Sequence, residues 1–172
     1  MTGATWTLSG FGDEIDPDPA VQLELLTALG SRHIEVRSAW GTNVIDLTAG
    51  QLDRLAGIVA DRGLAVSAVA SPIGKVDIAG DPGAEWERFG RAVAAAHRLG
   101  TRYLRVFSFY RGDVPVASVR DEVLARLRSF AERAEREGLI LLHENEKGIY
   151  GDTPERVADL IESVGSPALR VA

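Results

Sequence analysis

A strand-sized apolar run followed by a helix-sized amphipathic segment recurs along the chain, and this alternation limits the fold more than any other feature. The apolar runs begin near Thr5, His33, Ala65, Tyr103, Ile140 and Leu169, at spacings of 28, 32, 38, 37 and 29 residues. The segments between them carry helical periodicity. Trp86, Phe89, Val93 and Ala96 share one helical face, as do Val119, Val123, Leu127, Phe130 and Ala134, and Leu52, Leu55 and Val59. Val21–Leu29 and Val157–Val164 are shorter versions of the same pattern. Gly30, Gly63, Gly100, Gly138 and Gly165 stand where helices should stop. Thr153-Pro154-Glu155 reads as an N-cap, a first-turn proline and a first-turn acid. Strand–helix–strand repetition makes the strands parallel, because each helix carries the chain back to the starting edge.

Two parallel architectures compete. One is an open, doubly wound sheet of five strands. The other is a (β/α)8 barrel of the TIM type, which takes about 250 residues for eight units, or roughly 31 per unit. At that rate 172 residues hold five and a half units, which is the count observed. The strand faces favour the barrel. Ile34 and Val36 oppose Glu35 and Arg37, Leu104 and Val106 oppose Arg105 and Phe107, and Leu141 and His143 oppose Leu142, Glu144 and Glu146. Thr7 with Ser9, and Ser67 with Val69, are assigned to the polar side of the first and third strands. A sheet covered on both faces would be apolar on both, whereas a barrel lumen turns polar toward its C-terminal mouth. The chain thus reads as one domain, residues 1–172, forming the N-terminal two-thirds of a truncated barrel that stops inside strand six at Leu169–Ala172. Its open edges, Thr5–Gly10 and Leu169–Ala172, are expected to drive self-association.

Composition excludes several function classes. The net charge of −6 argues against a nucleic-acid partner, which requires clustered cations. No run approaches the roughly 20 apolar residues of a membrane span. With no cysteine there can be no disulfide and no thiolate metal site, and the absence of a signal-peptide pattern at Met1–Thr7 fits a cytoplasmic location.

Groups that could carry chemistry gather after the strands. Gly10-Phe11-Gly12 hints at a dinucleotide loop, but Ile15 replaces the third glycine, and Asp13, Glu14, Asp16 and Asp18 would repel a phosphate. Asp13 and Glu14 read as a solvated or helix-capping pair, or as substrate ligands. Glu35, Arg37 and Arg105 form either a self-satisfied ion network or a guanidinium site for substrate oxygens. The only two lysines, Lys75 and Lys147, both follow a strand. Glu144 and Glu146 end the fifth strand on one face, where a carboxylate must be paired, protonated or metal-bound. His143 points the other way and reads as a hydrogen-bonded packing residue.

Phe11-Gly12-Asp13-Glu14-Ile15, Ile34-Glu35-Val36-Arg37-Ser38, Ser71-Pro72-Ile73-Gly74-Lys75, Arg105-Val106-Phe107-Ser108 and His143-Glu144-Asn145-Glu146 occur in that order. Together they resemble the sugar phosphate isomerase/epimerase family of the xylose isomerase-like TIM barrels. The resemblance implies a small-molecule sugar or sugar phosphate as substrate and a divalent cation (Mn2+, Mg2+ or Co2+) at the mouth. It implies Glu144 as metal ligand and acid/base, and Arg37, Lys75, Arg105, Glu146 and Lys147 as candidate substrate contacts. The reaction implied is isomerisation or epimerisation by metal-assisted proton transfer next to a carbonyl. The family's other ligands, an Asp, a His and a Glu, fall beyond Ala172, so these 172 residues are expected to hold the cation weakly or not at all. The alternatives are a non-catalytic sugar-binding relative and a metal-dependent endonuclease or hydrolase on the same barrel.

Overall fold

Six parallel strands form one sheet in the computed structural model, which describes residues 6–172. They are β1 (Ser9–Phe11), β2 (His33–Val36), β5 (Ala65–Val69), β6 (Tyr103–Val106), β7 (Ile140–His143) and β8 (Leu169–Val171), and they are neighbours in chain order. Helices α1 (Pro19–Ala28), α2 (Ala49–Asp61), α3 (Pro82–Arg98), α4 (Val116–Glu137) and α5 (Pro154–Val164) make the crossovers. Each helix packs on the next, α1 on α2 through to α4 on α5, so they form a single layer. A doubly wound sheet reverses its strand order to place helices on both faces. An unreversed order with one hand of crossover leaves one face without helices. That face is the lumen of a barrel arc, and the open-sheet alternative falls.

The helical faces foreseen from periodicity are the buried ones. Leu52, Leu55 and Val59 of α2, Phe89, Val93 and Ala96 of α3, and Val119, Val123, Leu127, Phe130 and Ala134 of α4 all lie in the core. Trp86 is half-exposed and stacks on Phe130 at 5.9 Å. The five helix-terminal glycines all have positive φ. Thr153 caps α5 by accepting the Arg156 N–H, with Pro154 in the first turn. No helix among the described residues is long and apolar enough to cross a membrane.

Two local expectations need correction, and a third feature is new. The first strand was placed at Thr5–Gly10. Thr5 lies outside the described residues, and Trp6, Thr7 and Leu8 are exposed and outside the ladder. β2 starts only at His33, opposite Ser9, so earlier residues have no strand to pair with; the Leu8 carbonyl accepts the Ser31 hydroxyl instead. In β5, a register shift against β2 pairs Ala68 with Glu35 and Val69 with Val36. Val69 therefore joins the helix-facing core, while the Ser67 hydroxyl meets Ser9 at 2.7 Å. Third, β3 (Ser38–Ala39) and β4 (Thr42–Asn43) form a small antiparallel hairpin that periodicity does not reveal. Its turn, Trp40-Gly41, has φ of 53° and 72°, as a two-residue hairpin turn demands.

Apolar surface collects at the two ends of the sheet. Beside β1, Val21 and Leu25 of α1 and Leu29 just after it are exposed together with Trp6 and Leu8. Beside β8, a groove of about 540 Å3 runs along Pro154, Val157, Ala158, Ile161 and a half-exposed Val171. Free strand edges flanked by apolar surface favour pairing between chains. The apparent mass of the 172-residue chain from light scattering is expected to rise with concentration, with rapid amide exchange along Ser9–Phe11 only in the dilute, unpaired chain. A concentration-independent monomer with protected amides at both edges would overturn this expectation.

Candidate active site at the barrel mouth

The C-terminal ends of β1, β2, β6 and β7 place Phe11, Glu35, Arg105 and Glu144 toward the helix-free side. The register supports this, pairing Phe11 with Glu35 and Arg105 with Leu142. Arg105 is the central group, only 7% exposed. Its guanidinium donates to Glu144 Oε2 at 3.2 Å and to the Ala70 carbonyl at 3.3 Å, while its buried Nε has no partner. The rings of Phe11 and Phe107 lie 5.5 and 5.0 Å from it. Arg37 lies over Phe11 at 5.0 Å and Lys75 over Phe107 at 4.4 Å. Arg37, Phe11, Arg105, Phe107 and Lys75 thus alternate cation and ring across the mouth, all within cation–π range.

Each of these three cations also holds an acid. Arg37 donates to Asp13 at 2.8 Å and to Glu14 at 3.0 Å, and Lys75 meets Glu146 at 2.5 Å. Neither Asp13 nor Glu14 caps a helix, a place taken by Asp18 at α1; Glu14 is largely solvated, while the Asp13 side chain is largely buried in its pair with Arg37. Burial raises the Asp13 carboxyl, but hydrogen bonds from Arg37 and Ser38, with the Arg37 charge, outweigh it and hold the group below the usual aspartate range. Glu35 makes no side-chain hydrogen bond among the described residues. Burial pushes its carboxyl above the usual glutamate range; Arg105 and Arg37 pull it down and Glu144 pushes it further up. Lys147 stands exposed on the loop after β7, apart from the ladder.

Two arrangements hold the mouth together, and each joins segments that are far apart in the sequence. The loop after β5 zips onto the end of β6: Phe107, Phe109 and Tyr110 donate their N–H groups to Ile73, Gly74 and Val76. Gly74 has φ of 84°, so Pro72–Lys75 is a turn of the kind that wants glycine at its third position. Behind the mouth, Ser108 accepts the Gly151 N–H at 2.8 Å and lies 3.0 Å from His143 Nε2. His143 is fully buried, as the packing reading expected, and burial pushes its pKa down to about 4.

The sequence pattern of the xylose isomerase-like TIM barrel matches residues 23–172. The chain belongs to the xylose isomerase-like TIM barrel family. A family relative, the 2-epi-5-epi-valiolone 7-phosphate 2-epimerase of Actinoplanes sp., is 27% identical over 157 residues. That alignment covers 90% of this chain but 56% of the relative, so the chain spans little more than half the relative's length. A xylose isomerase-like TIM barrel protein from Mycobacterium smegmatis, in complex with magnesium, superposes with a TM-score of 0.77 at 19% identity, covering 96% of this chain and 63% of its own. The 3-keto-D-glucoside 4-epimerase of E. coli gives 0.75 at 12% identity, covering 96% and 67%. These barrels share the arc of strands described above and extend beyond it.

Proposed function

We propose that these residues form the N-terminal two-thirds of a sugar isomerase or epimerase, acting on a small sugar, cyclitol or sugar phosphate. The observation that carries this reading is Glu144: a carboxylate at the end of β7, 38% exposed and oriented from below by a buried arginine. A base so placed can take a proton from the carbon beside a carbonyl. Return of the proton to the other face gives epimerisation, and return to the neighbouring carbon gives isomerisation. The ammonium of Lys75 and the guanidinium of Arg37 are the cations at the mouth that could exchange an acid partner for a substrate oxygen. The phosphorylated cyclitol named for the Actinoplanes relative supports the substrate class.

A divalent cation, where one is bound, would polarise the carbonyl. The described residues alone do not fit one. No three His, Asp or Glu side chains converge among them, and Glu144 Oε2 already accepts from Arg105. Further ligands would have to come from outside residues 6–172, so these 172 residues alone are expected to show no metal-dependent turnover.

The test is proton exchange with D2O at the carbon beside the carbonyl, followed by NMR. It uses the full-length protein with a panel of ketoses, keto-inositols and their phosphates, in the presence of Mg2+, Mn2+ or Co2+. Glu144→Gln is expected to slow exchange by roughly 100-fold or more, the usual range for removing a general base. Glu146→Gln should cost less, because its carboxylate lies further out on Lys75. Equal or inverted losses would move the role to Glu146, and no exchange with any substrate would reject the isomerase reading.

A further inference from the structure

The turn that carries Lys75 bonds a carboxylate outside the ladder. Glu85, in the first turn of α3, is 3% exposed. Its Oε1 accepts the Gly74 N–H at 2.7 Å and its Oε2 accepts from Arg88 at 2.5 Å. A buried carboxylate must find donors, and a buried N–H must find an acceptor. The Glu85–Gly74 bond meets both needs. It does so at the third position of the Pro72–Lys75 turn, where the Lys75 N–H closes onto the Pro72 carbonyl at 2.9 Å. Lys75 is the next residue. Where that turn lies decides whether its ammonium reaches both the Phe107 ring, at 4.4 Å, and Glu146, at 2.5 Å.

We propose that Glu85 is a positioning residue for Lys75: by holding the Gly74 N–H from behind, it sets the point at which the lysine ammonium enters the barrel mouth. The functional meaning rests on the mouth being a sugar site. The placement itself does not, and it can be read without turnover.

The chain has only two lysines, so labelling with 13C,15N-lysine gives two side-chain spin systems, which Lys147→Arg assigns. The Lys75 Hε protons, held over the Phe107 ring, are expected upfield of those of Lys147. Glu85→Gln keeps the reach and drops the charge, and should leave the Lys75 signal in place. Glu85→Asp keeps the charge but is one methylene shorter. It should move Lys75 toward the Lys147 position and speed Gly74 amide exchange roughly ten- to a hundredfold, as expected for losing a hydrogen bond to a charged group. Thermal melts of both variants report that they fold. An unmoved Lys75 signal in Glu85→Asp, or an equal displacement in Glu85→Gln, overturns the proposal. A wild-type Gly74 amide that exchanges as fast as exposed loop amides overturns it without any variant. Failure of these readouts leaves the role of Glu144 standing, and loss of the isomerase reading leaves the Glu85 tether standing.

Discussion

Gly74→Ala is expected to lose a large share of the chain's stability. A Cβ at this position would lie 2.1 Å from the Phe107 carbonyl oxygen and 2.5 Å from its carbon. Both are backbone atoms, so no side-chain rotation can relieve the overlap. The Phe107 backbone cannot retreat easily either, because its own N–H bonds the Ile73 carbonyl at 2.7 Å and the Phe109 N–H bonds the Gly74 carbonyl at 2.8 Å. Relief means opening that zipper and exposing its hydrogen-bonding groups. The left-handed φ of 84° adds a penalty for any Cβ of roughly 1–2 kcal/mol. The total should exceed about 4 kcal/mol, against a typical domain stability of about 5–15 kcal/mol. Gly57→Ala provides the contrast. Gly57 lies inside α2 with open space around its Cβ position, so alanine should stabilise by about 0.5–1 kcal/mol. Urea unfolding followed by circular dichroism measures both. A Gly74→Ala midpoint close to wild type would mean that the loop after β5 is not held against β6.

The second large effect is loss of stability in mild acid, traced to His143. In the folded chain burial depresses its pKa to about 4, from the ordinary 6.5. Between these values the unfolded chain takes up a proton that the folded chain refuses, so stability falls as pH drops from 6.5 toward 4. The full difference corresponds to roughly 3 kcal/mol. The depressed carboxyl of Asp13 acts in the same direction at lower pH, because its ion pair is lost as the group protonates. Glu35 opposes both. Its raised pKa makes the folded chain the better proton acceptor, so its contribution is greatest at low pH and is lost as pH rises through the folded value. His143→Gln keeps a polar partner for Ser108 and removes the titration. Urea midpoints at pH 7 and pH 4.5 should therefore differ less in this variant than in wild type. An identical pH dependence in the two proteins would assign the acid sensitivity to the carboxylates.

Much of the architecture was legible because it rests on local periodicity. An apolar stripe every third or fourth residue makes α2, α3 and α4 bury the faces they bury whatever their neighbours are. Glycine at a helix end works through its own φ, so the five helix stops could be placed without a partner. Glu144 and Arg105 were picked out as charged groups on otherwise apolar strands, where burial demands a reason. What could not be read was which charge meets which. Arg37 lies 23 and 24 residues from its acids, Glu14 and Asp13, and Lys75 lies 71 residues from Glu146. Each pairing depends on which strands become neighbours.

Local pattern alone therefore determined the parallel strand–helix repeat, the buried helix faces and the crowding of charge at the strand ends, because these depend on interactions within a few residues. Tertiary structure decided between open sheet and barrel arc, since that is a matter of strand order. It also placed the register shift that turns Val69 into the core, joined the cations to their acids, and made Gly74 and Glu85 critical. Most of these contacts join segments far apart in the chain; Gly74 meets Phe107 more than thirty residues further along, and no local pattern records a contact over that distance.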